Sequence, residues 1–573
     1  DEMGNSQFVV DLVFTGEGTT KFAEATTKAF ASGQSIGIYY DGDFISVPNV
    51  QAALTDGRAQ ISGMTSFEEA ERIASQIRIG GLKLELEELR SNVVGAQLGE
   101  EAVRTSLLAA LIGLIIIALF MIIVYRIPGF ASVLALIIYT CLIVICLNIF
   151  ELTLTLPGIA GIILSIGMAV DANVILFARV REEITLGKTV RNAIDTGFQK
   201  ALSAIVDGNV TTLIAAFVLG IKGSGTVKGF AYTLGLGIVL SMFTALFVTR
   251  WILRALFAVG LKDVKFYGRN KEKATVRFLG KKNIFFACSV AVIALGFVFM
   301  GINGASTGKV LNYSLDFVGG TSTNVTFNED MDLSAIDAEV VPVFGSVTGD
   351  SAVQVQKVAG SNEVIFKTRE LDLTEREQLN SALVEKFGVN EELITAETIS
   401  STISSEMKSD AVIAVIIATI CMLIYIWFRF KDIRFAASSV AALVHDVLVV
   451  LAFYAVAKVS VGGTFIACML TIVGYSINAT IVIFDRIREN LVSMQKKDSL
   501  EELVNRSISQ TLSRSMFTSL TTFVMVAALY VLGVTSIKEF ALPLMVGIVC
   551  GTYSSVCITG ALWYVLRTKI KKA

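Results

Sequence analysis

Hydrophobic residues along this chain gather into long unbroken runs, interrupted by two broad polar stretches. About 20 apolar residues, rising about 1.5 Å each, cross the roughly 30 Å of hydrocarbon in a bilayer. Each such run therefore predicts a membrane helix. Eleven are found, at 106–125, 130–150, 157–177, 203–222, 229–253, 284–302, 410–429, 434–456, 464–484, 516–533 and 537–566. The last contains Pro543, which predicts a kink there. The polar stretches, 1–100 and 303–409, mix β-like runs (7–14, 324–327, 362–366) with amphipathic helical runs (66–79, 374–387). The second reads β-β-α-β-β-α-β, a ferredoxin-like arrangement of sheet and helices. The fold class is a polytopic α-helical membrane protein carrying two α+β domains. It divides into a first polar domain (1–100), five helices (101–255), a basic linker (256–283), a sixth helix (284–302), a second polar domain (303–409) and five more helices (410–573).

Charge adds an orientation. Lys and Arg collect in the loop after 177, in the linker, in 485–515 and in the tail, whereas the alternate short loops carry few. Basic loops stay cytoplasmic, so alternation places both polar domains outside. Residues 1–100 sum to -8 and 303–409 to -10, against -2 for the whole chain, so the remainder is +16. Acidic outer domains argue against a nucleic-acid partner, and membrane orientation already accounts for the basic loops. Composition agrees: 54% of residues are hydrophobic and 17% charged, against about 25% charged in soluble domains. All seven cysteines lie in apolar runs, as lipid- or core-facing side chains rather than a disulfide framework or a metal set. No Walker A sequence, zinc spacing, GxSxG or cofactor motif is found, so the reading is not an enzyme, and an ion gradient is the expected energy source.

The chain repeats itself. Ala169-Val-Asp-Ala-Asn-Val-Ile-Leu-Phe-Ala-Arg-Val-Arg-Glu-Glu183 parallels Ser476-Ile-Asn-Ala-Thr-Ile-Val-Ile-Phe-Asp-Arg-Ile-Arg-Glu-Asn490. In the helices that follow, Asn209-Val-Thr-Thr-Leu213 echoes Ser519-Leu-Thr-Thr-Phe523. Two halves running in the same direction imply pseudo-two-fold symmetry about the membrane normal. Gly547 and Gly551 form a GxxxG, consistent with close helix packing.

Ionisable residues inside membrane helices are costly, at least about 2.5–3.5 kcal/mol at the centre, so each needs a reason. Asp171 lies beyond the midpoint of the third helix, Asp207 in the first turns of the fourth, His445 and Asp446 mid-helix in the eighth, and Arg514 at the mouth of the tenth. Asp171 reads either as a carboxylate bonded to nearby Ser or Thr, or as a proton carrier facing the other half. Burial favours its neutral form and a facing arginine its charged form. Asp207 is a helix-start partner or a relay member. Histidine side chains titrate near neutrality, which makes His445 with Asp446 a candidate relay, but adjacent residues do not share a helix face, so a simple mutual pair is not expected and a structural role is the other reading. Arg514 either joins the relay or snorkels to the interface.

At these residues the chain resembles the fused SecD–SecF proteins, accessory subunits of the bacterial Sec translocase within the RND superfamily. In the first half the resemblance rests on Asp41-Gly-Asp-Phe-Ile-Ser-Val-Pro48, Ile61-Ser-Gly63, Glu69-Ala70, Ile79-Gly-Gly-Leu82, Gly161 to Arg181, and Asp207-Gly-Asn-Val-Thr-Thr212. In the second it rests on Leu315-Asp-Phe-Val-Gly-Gly-Thr321, Val444-His-Asp-Val447, Gly474-Tyr-Ser-Ile-Asn478, Phe484-Asp-Arg-Ile-Arg-Glu-Asn490 and Gln510-Thr-Leu-Ser-Arg514 to Thr522. The resemblance implies two RND-type halves in the bacterial cytoplasmic membrane. It implies a proton-motive-force-driven factor that helps an unfolded preprotein emerge on the outer side, with SecYEG, SecA and YidC as partners. Asp171 and Arg514 match positions that the family ties to proton passage. The resemblance also implies that one membrane helix and the beginning of the first exterior domain precede Asp1.

One departure bears on mechanism. The family's second-half motif reads Ser-Ile-Asn-Asp-Thr, and here Ala479 stands where the carboxylate belongs. The protein is then an inactivated variant, routes ions differently through Asp171 with Asp207 or Asp446, or assists without proton coupling. Impaired proton conduction is the expectation. The alternative class is an RND-type, proton-driven exporter of small molecules or lipids, for which exterior domains of about 100 residues leave little room.

Overall fold

The computed structural model describes residues 8–40, 43–80, 88–93, 96–223, 225–268, 274–349, 353–358, 361–494 and 499–569. Asp41-Gly42 and Gly81-Leu82 of the motifs above lie outside the described residues, as do Arg269, Lys271, Lys273, Lys496, Lys497, Lys571 and Lys572.

The chain forms two compact units, Asp1–Glu88 and Leu89–Ala573. The first contains β1 (Phe8–Val13), α1 (Gly16–Ser32), β2 (Ile38–Tyr40), β3 (Asp43–Ser46), β4 (Arg58–Met64) and α2 (Phe67–Gly80). β1 pairs antiparallel with β4, and β2 with β3. α2 lays Ala70 and Ile73 on Val10 and Ile61 to close a small core. The strand and helix expected at 7–14 and 66–79 are both present.

The second unit opens with β5 (Arg90–Val93) and five long helices: α3 (Ala96–Tyr125), α4 (Ile127–Ile149), α5 (Leu156–Thr185), α6 (Val190–Lys222) and α7 (Thr226–Ala258). α8 (Leu279–Ser306) leads to β6 (Gly320–Thr326), α9 (Val341–Thr348), β7 (Gln354–Lys357), β8 (Glu363–Thr368), α10 (Leu373–Phe387) and β9 (Thr395–Ile399). Five helices complete the chain: α11 (Ser401–Phe430), α12 (Ile433–Ala457), α13 (Gly463–Val492), α14 (Leu500–Leu532) and α15 (Thr535–Lys569). Among the described residues, eleven helices are long and apolar enough to cross a membrane, one at each predicted place.

Their ends differ from the apolar runs. α6 begins at Val190, thirteen residues before its apolar stretch, because Arg191, Asp195 and Lys200 continue the helix as a polar overhang. α15 runs on through Pro543, and its irregular turn lies at Ser554–Thr559, a π-turn matched by Thr244–Val248 in α7. Gly547 and Gly551 do allow close packing: a Cβ at Gly547 would lie 2.2 Å from Ile472 of α13.

Four strands of the second polar domain follow the ferredoxin-like β-α-β-β-α-β order, one strand fewer than expected. The fifth strand comes from the other half. The sheet order is β5-β9-β6-β8-β7, and β5 pairs antiparallel with β9 from Arg90↔Ile399 to Val93↔Ala396. Residues 89–100, assigned above to the first polar domain, thus belong to the second unit. Val325, Phe344, Phe366, Leu379 and Leu383 fill the space between sheet and helices. α10 is fixed at its start by a capping box, with Asp372 and Glu375 each accepting the other's backbone N–H.

The repeat becomes a set of reciprocal contacts. β5 and β9 each lead directly into an equivalent helix, α3 and α11. α5 and α13 are the central pair: 94% and 89% of their apolar windows are buried, against 17% for α8 on the outside. Each packs on the other half's fourth helix, α5 on α14 and α13 on α6. A Cβ at Gly167 would lie 3.3 Å from Thr522 Cα, and one at Gly474 would lie 3.1 Å from Thr212 Cα. About three turns below, Arg179 reaches Glu489 at 3.2 Å while Arg486 bonds Glu182, and each arginine also holds its own helix's glutamate, at 3.0 and 2.8 Å.

These four side chains are only partly exposed, so the cross pairs are expected to matter modestly. A double-mutant cycle on Arg179→Gln and Glu489→Gln should give a coupling of about 0.5–1 kcal/mol that shrinks in high salt. Thermal unfolding in detergent reads it, and zero coupling would remove the ring as a clamp.

Candidate functional site

One turn beyond the crossing glycines, the repeat places Asp171 on α5 and Asn478 on α13. Both line a small cavity between the halves, together with Tyr475, Ala479, Arg514, Ser515 and Thr518. It holds about 10 Å³ for the centre of a water molecule, room for one. Asp171 is 4% exposed, and its Oδ1 accepts the Thr521 hydroxyl of α14 at 3.4 Å. A single long hydrogen bond is little compensation for a carboxyl group held away from water.

Arg514 is 9% exposed and does not snorkel. Its Nε and Nη2 have no hydrogen-bond partner among the described residues, and neither do Asn478 Oδ1 and Ser515 Oγ. Unpaired polar atoms of this kind are rare in folded proteins and cost about 1–3 kcal/mol each, more when charged. The gap follows from the sequence. Ala479 lines the cavity, and its methyl group can neither accept a hydrogen bond nor balance a guanidinium. The sequence-predicted Asp171, Arg514 and Ala479 therefore meet at one place, on three helices from both halves.

The other candidates lie elsewhere. Asp207 forms an inter-half ion pair: its carboxylate accepts Arg429 Nε of α11 at 2.5 Å, Tyr425 Oη at 2.8 Å and Ser203 Oγ at 3.2 Å. Arg429 and Tyr425 were not singled out in the sequence, because an arginine at a helix end reads as an interface anchor. Asp446 is fully buried inside the second half, with Ser476 and Ser554 donating to its Oδ2 at 2.5 and 2.8 Å, and Cys550 to its Oδ1 at 3.2 Å. His445 Nδ1 also meets Asp446 Oδ1 at 2.9 Å, contrary to the expectation that these neighbours do not pair. Both side chains turn into one polar pocket, which helix-face geometry alone does not foresee. Cys550 belongs to the same group, with ligand-type atoms of His445, Asp446 and Cys550 within 4.8 Å of one another. One cysteine is thus neither a lipid-facing nor a plain core side chain. Four partners already meet the Asp446 carboxylate, whereas His445 Nε2 has no hydrogen-bond partner among the described residues.

What the first site can do follows from its parts. An acid with weak support, a charged donor lacking an acceptor and room for one water form a place where a proton can sit or leave. Its walls belong to both halves, so a relative movement of the halves changes the environment of Asp171 and Arg514 together.

Known proteins share this fold. The family described as protein export membrane protein SecD/SecF, C-terminal, matches residues 78–258 and 379–569, and the SecDF P1 head subdomain matches 1–84. The protein translocase subunit SecDF of Bacillus subtilis is 35% identical, over 95% of this chain and 77% of its own length. That of Thermus thermophilus is 36% identical, over 98% of this chain and 74% of its own. A crystal structure of Thermus SecDF, described as a translocon-associated membrane protein, superposes with a TM-score of 0.79 at 34% identity, covering 99% of this chain and 76% of that one. The hedgehog release protein Disp of the water bear, at 11% identity and a TM-score of 0.51, shares the fold, covering 82% of this chain and 71% of its own.

Two stability outcomes test the site. Ala479→Asp should raise the unfolding temperature by supplying the missing acceptor, and Arg514→Met should leave it equal or higher by removing an uncompensated charge. A fall in both would mean that Arg514 has a partner. At Asp207, Arg429→Ala should cost about 3–5 kcal/mol by stranding a buried carboxylate, and the Asp207→Asn/Arg429→Gln pair should recover most of it. Equal losses in the single and the paired variants would show that the ion pair is not what matters there.

Proposed function

The chain belongs to the SecD/SecF family of protein translocase subunits, and on that premise we propose that it draws on the proton-motive force to promote export of preproteins. In this reading it sits in the bacterial cytoplasmic membrane beside SecYEG, where SecA drives the unfolded chain across, with YidC as a further neighbour. Both α+β domains face outward and meet the emerging preprotein. Proton passage through the helices is coupled to movement of those domains. It needs no cofactor and makes or breaks no covalent bond.

The observation that carries this reading is the cavity shared by Asp171 and Arg514, contributed by opposite halves of the repeat. A proton on Asp171 neutralises one wall and leaves the Arg514 charge alone on the other. Its departure restores a carboxylate facing that charge. Two charge states bias two packings of the same interface, as a coupling device requires. Ala479 weakens the device. Without an acceptor at position 479, Arg514 has no hydrogen-bonding partner in the cavity to exchange with Asp171, and Asp485, further along α13, acts on it only through its charge, so conduction is impaired in this sequence.

Precursor translocation into inverted membrane vesicles, with and without a proton-motive force, tests the proposal. The Ala479→Asp chain should respond to the gradient several-fold more than the chain as it stands, and Asp171→Asn should abolish the response in both. Equal responses at position 479 would move the coupling route to Asp207 or Asp446. A response that survives Asp171→Asn would end the proposal.

A further inference from the structure

Far from the inter-half cavity, a basic trough lies between the second sheet and the membrane helices. Two adjoining cavities of about 580 and 230 Å³ form it, and both are walled by Lys309, Gln354 and Lys367. The larger adds Lys458 and Asn312, and the smaller adds Arg369. Among the described residues, no acidic side chain lines either one. In a domain whose net charge is -10, the charged side chains of this wall are thus all basic, with Arg369 already paired to Glu375 at 2.5 Å.

The sheet aims Lys367 at it. Along β8, Val364 and Phe366 are buried in the domain core, so Lys367 points to the opposite face, beside Gln354 of the paired edge strand β7. Burial holds its ammonium below the usual lysine range, against the pull of Glu539, and the neighbouring Lys309 lowers it further. Lys458 caps α12 with φ +52°, a left-handed conformation usually given to glycine. Asn312 pins that turn by donating to the Lys458 carbonyl at 2.9 Å. Glycine would serve the turn at lower strain, but it would bring no charge.

Depth identifies the ligand. From Lys282, near the start of α8, to Asn303, on the cavity wall, is about 32 Å along the helix, roughly the hydrocarbon thickness. The trough therefore sits at headgroup level. Below it α8 shows an apolar flank, with Leu295, Val298 and Ile302 more than half exposed.

We propose that this trough holds the phosphodiester of an anionic phospholipid, with the acyl chains lying along α8. Lysines and amides together recognise phosphate, and the apolar flank distinguishes a lipid from a free anion. The bound lipid ties the sheet edge to the ends of α8 and α12, and so fixes the height of the second domain over the bilayer.

Native mass spectrometry of the purified full chain tests this, with short-chain phosphatidylglycerol, short-chain phosphatidylcholine and inorganic phosphate as probes. One phosphatidylglycerol per chain should be retained in preference to phosphatidylcholine. Lys309→Gln/Lys367→Gln/Lys458→Gln should weaken retention at least ten-fold, and Lys28→Gln/Lys386→Gln/Lys408→Gln should not. Lys458→Gly alone keeps the turn and should still lose affinity, which separates charge from misfolding. Equal retention of the two lipids, or retention unchanged in the trough variants, would overturn the proposal. Inorganic phosphate binding as well as the lipid would assign the site to a soluble anion instead.

Discussion

Everything in the second unit depends on a mutual close approach, Gly167 against Thr522 and Gly474 against Thr212. In hydrocarbon no hydrophobic force draws one helix to another, so association rests on packing and on polar contacts across the interface. Small residues permit both. Thr212 donates its hydroxyl to the Gly474 carbonyl at 3.2 Å, a bond that a larger side chain at 474 would push apart. The paired strands β5 and β9 and the Arg179–Glu182–Arg486–Glu489 ring close the same interface at its two ends. The halves are therefore joined at three heights by contacts obeying one symmetry.

Against that symmetric frame the chemistry is one-sided. Equivalent positions hold Asp171 and Asn478. The acid faces α14 with Thr521, whereas the amide lies against Gly208 of α6, where an added Cβ would come within 2.1 Å of it. Arg514 has no charged counterpart in the first half, because the matching stretch of α6 carries Ala204. Instead α6 carries Asp207, already bound by Arg429. One half thus supplies the carboxyl group and the other the guanidinium of the cavity they share, between two otherwise similar interfaces.

Much of this was legible in the sequence, for reasons that also explain the gaps. Eleven apolar runs mark eleven helices because crossing hydrocarbon sets a minimum length that little else satisfies. Their ends were not legible, since polar overhangs such as Val190–Leu202 remain helical once outside the bilayer. The shared motifs around Asp171 and Asn478 announced the repeat. The pairing of β5 with β9 joins segments some 300 residues apart, and four residues carry no signal strong enough to foretell it. Asp171, Arg514 and Ala479 were named from charge and motif, but their convergence needed coordinates. His445 and Asp446 were misjudged because the 3.6-residue rule describes where side chains start, not where a rotamer takes them. Arg429 has nothing locally unusual about it, and Cys550 reads in the sequence as one more small side chain in an apolar run.

The π-turns at Thr244–Val248 and Ser554–Thr559 occupy equivalent places in α7 and α15. Each faces a central helix: Thr249 donates to Asn173 Oδ1 at 3.0 Å, and Ser555 meets Thr480 at 3.1 Å. Such a turn is most simply a single-residue insertion into an older regular helix. Finding it twice, at matching positions of the two halves, makes it a property of the repeat and not of either half alone. The irregular turn thus keeps the symmetry of the two halves at the very level where Asp171 and Asn478 break it.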